Sequence, residues 1–200
     1  MTTGTPRHSP GSQGSPVPPP DGYTVHDLLS PPDIPAHVEL LDGWLSSDGP
    51  HERFHGIMTD LLVQSLRGTV PPHLKVQSRM TVVIDERNAP EPDITIVRAA
   101  AVRGGDQLYF PVRDVLLAVE VVSPRSAARD RDTKPRKYAD AGVPYFWRVG
   151  REGVDDAPVV HAYALDARTR SYRLVGTFHD EVKLDAPFAL SIDLTALDRL

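Results

Sequence analysis

The run Val115-Leu-Leu-Ala-Val-Glu120-Val-Val122 decides how this chain is read. A nearly continuous apolar segment of this length suits a central strand covered on both faces. Glu120 breaks the pattern. A carboxylate on such a strand is expensive unless it is paired or ligates a cation. Upstream, Pro92-Asp93-Ile94-Thr95-Ile96-Val97 alternates, so that Asp93, Thr95 and Val97 share one face while Ile94 and Ile96 take the other. If the two segments are neighbouring strands, Asp93 and Glu120 converge on one side of the sheet. Two carboxylates in a partly buried cleft repel, and a hard cation such as Mg²⁺ or Mn²⁺ relieves that repulsion through oxygen ligation. Equally, each lies at a strand end and pairs with an arginine. These residues alone leave both readings open.

The segment after Glu120 concentrates positive charge. Arg125, Arg129, Arg131, Lys134, Arg136 and Lys137 stand against Asp130 and Asp132, in a chain whose net charge is -5. With Asp132 as N-cap, Pro135 falls in a first helical turn where its missing N–H is tolerated. Lys134 then sits near the helix entrance, close to the end of the Glu120 strand, within reach of a bound water or a phosphate. A solvated basic face is the ordinary alternative. The helix composition runs from Arg125 to Ala141, with Gly142 in the position after the cap and Pro144 beyond it.

Around this centre the chain alternates between helix and strand patterns. Tyr23 to Leu29 reads as a short helix stopped by Pro31-Pro32. His37 to Leu41, Asp42-Gly43 and Trp44-Leu45 read as strand, tight turn and return strand. Phe54, Ile57, Met58, Leu61, Leu62 and Leu66 recur at helical spacing after Pro50. Strands follow at Lys75 to Asp85 and Asp93 to Val97, and later at Tyr145 to Val149, Val159 to Leu165 and Ser171 to Val175, with a short piece near Leu190. The order is mixed α/β with a strand-rich end. Trp44, Trp147, Tyr138, Tyr145 and Phe146 fall within or beside apolar patterns and are expected in the core.

A length of 200 residues fits one domain. Residues 1–22, rich in Pro, Gly, Ser and Thr, are expected to be a disordered tail before a folded domain at 23–200. Cysteine is absent, which excludes disulfide scaffolds, thiolate zinc sites and cysteine nucleophiles. No apolar run approaches the roughly 20 residues of a membrane span, and no secretory signal is visible, so no membrane partner and a cytoplasmic location are expected. The acidic balance argues against coating nucleic acid through global charge, without excluding a local basic site. Only Lys75, Lys134, Lys137 and Lys183 are lysines among many arginines, a bias that suggests a bacterial source.

One competing motif is present. His51-Glu52-Arg53-Phe54-His55 matches H-E-x-x-H, which on a helix sets two imidazoles one turn apart for zinc, with the glutamate as general base of a metalloprotease. Pro50 puts it in the first helical turn, and no third histidine completes it. His55 reads better as a polar residue on the helix flank, facing the cleft.

Glu39-Leu-Leu-Asp-Gly43, EPDITIV from Glu91, and VEVVSPRSAARDRDTKPRKYADAGVPYFW up to Trp147 together resemble the Uma-type family of restriction endonucleases, a branch of the PD-(D/E)XK nuclease superfamily. The similarity runs from about Tyr23 to the C-terminal LSIDLTALDRL. It implies an α/β fold with a restriction-endonuclease-like core, a mixed central sheet flanked by helices, and additional C-terminal strands. It further implies a metal-dependent endonuclease acting on DNA, with Asp93 and Glu120 as metal-binding carboxylates and Mg²⁺ or Mn²⁺ as cofactor. The backbone carbonyl of Val121 is a third oxygen ligand in this picture, and Glu39 an extra acidic residue near the site. The superfamily's usual lysine position, two residues after the second acid, holds Val122 here. Lys134 on the following helix matches the family's displaced lysine, with Lys137 as the fallback. Arg125, Arg129, Arg131 and Lys137 would contact phosphates, positioning the backbone without reading sequence. A non-catalytic nucleic-acid-binding or dimerisation module of the same fold is the alternative, and a homodimer is an expectation from fold analogy.

Overall fold

The computed structural model describes residues 19–30, 37–47, 49 and 52–199. Most of the expected disordered tail, Pro31-Pro32, Pro50 and His51 lie outside the described residues. The first helix, α1 (Val25–Leu29), opens with a capping box in which Thr24 and Asp27 satisfy each other's backbone N–H groups. Strands β1 (Glu39–Leu41) and β2 (Trp44–Ser46) form the expected hairpin. Its turn residues Asp42 and Gly43 both have positive φ, as a tight turn matching the strand twist requires. Helix α2 (Arg53–Thr69) buries Met58, Leu62 and Leu66 completely, the stripe its periodicity announces.

The stretch expected as a single strand from Lys75 to Asp85 is two. β3 (Leu74–Ser78) and β4 (Thr81–Val83) are separated by Arg79, whose φ of 51° cannot continue an extended chain. They belong to different sheets: β3 pairs with β5 (Ile94–Arg98), whereas β4 runs parallel to β6 (Tyr109–Pro111), a short strand that the sequence pattern did not reveal.

The main sheet is mixed, as expected. Next to β5 lies β7 (Val115–Val121), and beyond it come β8 (Tyr145–Glu152), β9 (Ala157–Asp166) and β10 (Ser171–Phe178), in the order β10-β9-β8-β7-β5-β3. Only β7 and β8 are parallel, and they are joined by the crossover that carries α3 (Lys134–Asp140). A last hairpin, β11 (Glu181–Leu184) and β12 (Leu190–Asp193), includes one strand beyond the expected piece near Leu190.

Strand β7 is interior to the sheet and covered on both faces. Leu117, Val119 and Val121 pack with α2, β12 and Trp147, while Ala118 packs on the other face with Tyr138, Phe146 and Phe110. Each such fully buried Leu or Val contributes about 1.5–3 kcal/mol relative to exposure. Trp147, Tyr138 and Phe146 are core residues and Tyr145 is half-buried, but Trp44 is 65% exposed. The hairpin turns that ring outward at the rim instead of into the core.

The crossover helix starts ahead of Asp132, within the stretch from Arg125 to Ala141 that its composition marks. Ser123 and Ser126 cap its entrance reciprocally: the Ser123 hydroxyl accepts from the Ser126 N–H at 3.1 Å, and the Ser126 hydroxyl accepts from the Ser123 N–H at 3.0 Å. Asp132 is therefore no N-cap; it is exposed and ion-paired with Arg136 at 2.6 Å. Residues Arg129–Thr133 form a π turn, with the Lys134 N–H bonded to the Arg129 carbonyl. A proline inside a regular helix clashes with the carbonyl four residues back, and the wider π turn ahead of Pro135 accommodates that ring without ending the helix. At the far end Gly142, at φ 84°, and Val143 close a Schellman cap on Ala139 and Tyr138.

Candidate active site

Asp93 and Glu120 meet at one end of the sheet. β5 and β7 are antiparallel neighbours with Ile94 opposite Val119, so the next pair outward is Asp93 and Glu120. Asp93 stands just before β5 begins, and its Oδ2 accepts the Val121 N–H at 2.7 Å. This bond ties the first acid to the strand that carries the second. From the layer on the opposite face, His55 Nε2 reaches Asp93 Oδ1 at 2.9 Å.

Glu120 is 1% exposed, and both of its oxygens are engaged. Oε1 accepts the Tyr138 hydroxyl at 2.7 Å and Oε2 accepts from Lys134 Nζ at 3.1 Å. The Lys134 ammonium also lies 2.7 Å from Glu39 Oε1 and 3.1 Å from Asp130 Oδ1. The ammonium therefore stands within ion-pairing distance of three carboxylates. Glu39 Oε1 additionally accepts the Glu91 N–H at 2.9 Å, which fixes the β1 hairpin against the loop before Asp93.

Burial pushes the Glu120 carboxyl well above its ordinary range; Lys134 opposes this, while Asp130, Glu39 and Asp93 add to it as like charges. Burial pulls the Lys134 ammonium down, but Glu120, Glu39 and Asp130 outweigh it and hold the group well above its usual value, so it stays charged. Tyr138 is pushed up by burial and then by the charges of Glu120 and Glu39, so its hydroxyl remains a donor.

The residues expected at the centre from the sequence thus come together: Glu39, Asp93, Glu120, Val121 and Lys134. Lys137 does not join them; its Nζ pairs with Asp42 at 2.6 Å on the outer side of α3. Among the arginines, Arg129 Nε approaches Glu39 Oε2 at 4.0 Å, while Arg125 and Arg131 are exposed on the same crossover. Three participants were missed or undervalued. Asp130 was counted only as a minor charge in a basic run, although it stands four residues before Lys134, the spacing that puts both on one helix face. Tyr138 was assigned to the core for its ring, and its hydroxyl turns out to hold Glu120. His55 reads in the sequence as a polar residue on a helix flank, and its partner is Asp93.

Of the H-E-x-x-H motif, His51 lies outside the described residues and the other groups are engaged away from a shared zinc position. Helix α2 starts at Arg53, the Glu52 carboxylate pairs with Arg151 at 2.8 Å, and His55 faces Asp93.

A divalent cation fits this donor set on charge and chemistry. Three carboxylates, those of Glu39, Glu120 and Asp130, lie around a single lysine ammonium and Asp93 stands beside Glu120, and hard oxygen donors in excess negative charge are what Mg²⁺ or Mn²⁺ requires. Among the described residues no three Asp, Glu or His side chains form a ready-made cage.

No curated protein matches the sequence. The fold is similar to the crystal structure of a putative nuclease belonging to DUF820 from Anabaena variabilis ATCC 29413, with a TM-score of 0.64 at 14% identity, covering 87% of this chain and 96% of that one. The family model of Uma2, described as "Putative restriction endonuclease", matches residues 26–197. That span takes in α1 from its second residue, every later element to β12 and the whole acidic centre, and the chain belongs to the Uma2 family.

Proposed function

We propose that this protein is a metal-dependent endonuclease that hydrolyses phosphodiester bonds of DNA at the Asp93–Glu120–Lys134 centre. One observation carries this reading: a buried lysine is held against Glu120 by Glu39 and Asp130, at the strand end where Asp93 stands in register with Glu120. A structural ion pair needs one carboxylate; burying several around one ammonium costs desolvation energy that a site must use.

Asp93, Glu120 and the Val121 carbonyl would hold Mg²⁺ or Mn²⁺, which when bound supplies Lewis acidity toward the phosphate and lowers the pKa of a water. The chain's own groups prepare the site. The Val121 N–H orients Asp93, and Tyr138 with Lys134 fixes both oxygens of Glu120. Lys134 places a permanent positive charge beside the acids, where it offsets charge developing on a phosphate oxygen. Arg129 borders the centre at Glu39, and Arg125, Arg129 and Arg131 would bind neighbouring phosphates.

The test is relaxation of supercoiled plasmid in Mg²⁺ or Mn²⁺ by the wild type and by Asp93→Asn, Glu120→Gln and Lys134→Met. Metal-dependent nicking by the wild type, lost in all three variants, supports the proposal. A wild type that binds plasmid but never cuts it, in either ion, would instead leave a non-catalytic binding module.

A further inference from the structure

A row of polar side chains crosses the sheet outward from the acidic pair. Asp93 is followed by Glu120, Glu120 is paired with Arg148 in β8, Arg148 with His161 in β9, and His161 with Thr177 in β10. Directly paired residues on adjacent strands project to the same face. The row therefore continues the candidate active site across the sheet, one strand spacing of about 4.8 Å at a time.

Arg148 forms no ion pair with Glu120, whose oxygens belong to Tyr138 and Lys134. Its guanidinium carbon lies 5.7 Å from the centre of the Tyr163 ring, a stacking contact that restrains the side chain. It faces a cavity of about 190 Å³ that begins at Val122 and Ser123, just past the end of β7, and that Arg131 borders from the crossover helix. The cavity's two carboxylates are committed elsewhere: Glu152 to His161 at 2.9 Å, and Asp156 to Arg151. Arg151 is further engaged by Glu52. Among the described residues, neither Arg131 nor Arg148 has a carboxylate within ion-pairing distance.

Arg131 and Arg148 put two guanidinium groups on one cavity whose carboxylates are hydrogen-bonded to His161 and Arg151, so their own donors stay available to an anion with several oxygens. The planar guanidinium fork matches phosphate oxygens with two parallel hydrogen bonds. We propose that this cavity is a phosphate subsite, taking the phosphodiester next to the one hydrolysed, with Arg148 as its fixed contact and Arg131 as its second. This rests on the nuclease reading of the adjoining centre. It assigns to Arg148, on a strand outside the basic segment, the task of setting the position of the nucleic-acid strand.

The experiment measures binding of closed-circular plasmid and of a fluorescent linear duplex, with and without a 5′-phosphate, in Ca²⁺ over a salt series. The proteins are the wild type, Arg148→Gln, Arg148→Lys, Arg131→Gln and, as control, Arg136→Gln, whose partner is the exposed Asp132. Arg148→Gln and Arg131→Gln should each weaken binding roughly tenfold, the loss of one charged hydrogen-bonding contact. Each should also lower the salt slope by about one. Arg148→Lys should keep most of the salt slope, which also shows that the position tolerates change, and Arg136→Gln should match the wild type. Loss on closed-circular plasmid identifies an internal phosphodiester, and loss confined to 5′-phosphorylated linear duplex identifies a terminal phosphate; both keep the subsite. Plasmid and both linear duplexes bound equally well by Arg148→Gln and wild type, with the same salt slope, overturn the subsite alone. A wild type that binds no nucleic acid overturns the nuclease reading and the subsite with it.

Discussion

Lys134 Nζ lies 3.1 Å from Glu120 Oε2, with the two side chains 1% and 2% exposed. The pair joins the central strand to the crossover helix, and neither partner has water to fall back on. Lys134→Met would leave Glu120, Glu39 and Asp130 buried without their shared cation, at a cost of about 3–5 kcal/mol. Urea unfolding should show this as a lowered midpoint. Adding Glu120→Gln should recover part of the stability but none of the cleavage. Equal midpoints for wild type and Lys134→Met would mean that the buried pair is not formed.

The raised Glu120 carboxyl sets a pH dependence of stability. The folded protein keeps a proton that the unfolded chain loses above the ordinary value of 4.5, so folding stability contributed by this group falls as pH rises past that point. Glu120→Gln cannot titrate there. The stability of the variant relative to wild type should therefore increase between pH 4.5 and neutrality, read from urea midpoints at each pH. Parallel curves for the two proteins would contradict the assignment.

Asp93 has a structural task as well as a chemical one, and two substitutions separate them. Asp93→Ala leaves the buried Val121 N–H without an acceptor, which should cost about 1–3 kcal/mol. Asp93→Asn keeps an acceptor oxygen and should stay within about 1 kcal/mol of wild type. Both should lower plasmid cleavage by at least about 100-fold. Substantial cleavage by the stable Asn variant would remove Asp93 from the chemistry.

Glu52 offers the opposite expectation. Its bridge to Arg151 is partly exposed, and such pairs are worth about 0–1 kcal/mol. Glu52→Gln should fold and cut plasmid as the wild type does, and neither protein should retain zinc after purification. Peptide hydrolysis lost in this variant would revive the zinc reading.

The central features of the fold were legible because they are written in local pattern. The apolar run around Glu120 announced a strand covered on both faces, and the alternation at Asp93 gave the face shared with Glu120 once β5 and β7 proved to be neighbours. Less local features were hidden. The break at Arg79 depends on a single left-handed residue, β6 has only three residues and gains its pairing from β4, and the π turn before Pro135 answers a steric conflict that composition does not display. Asp130 was masked by the basic residues around it. Tyr138 looked like any core aromatic because burial and a hydrogen bond from its hydroxyl leave the same mark on a sequence.

Manganese binding, followed by the loss of the free-ion EPR signal on titration, tests most directly whether the acids at 93 and 120 act together on one ion. The wild type should bind Mn²⁺ at a single tight site, and Asp93→Asn and Glu120→Gln should each abolish that site while remaining folded. A wild type that leaves the signal of free manganese unchanged, or single variants that bind as well as it does, would contradict the shared centre.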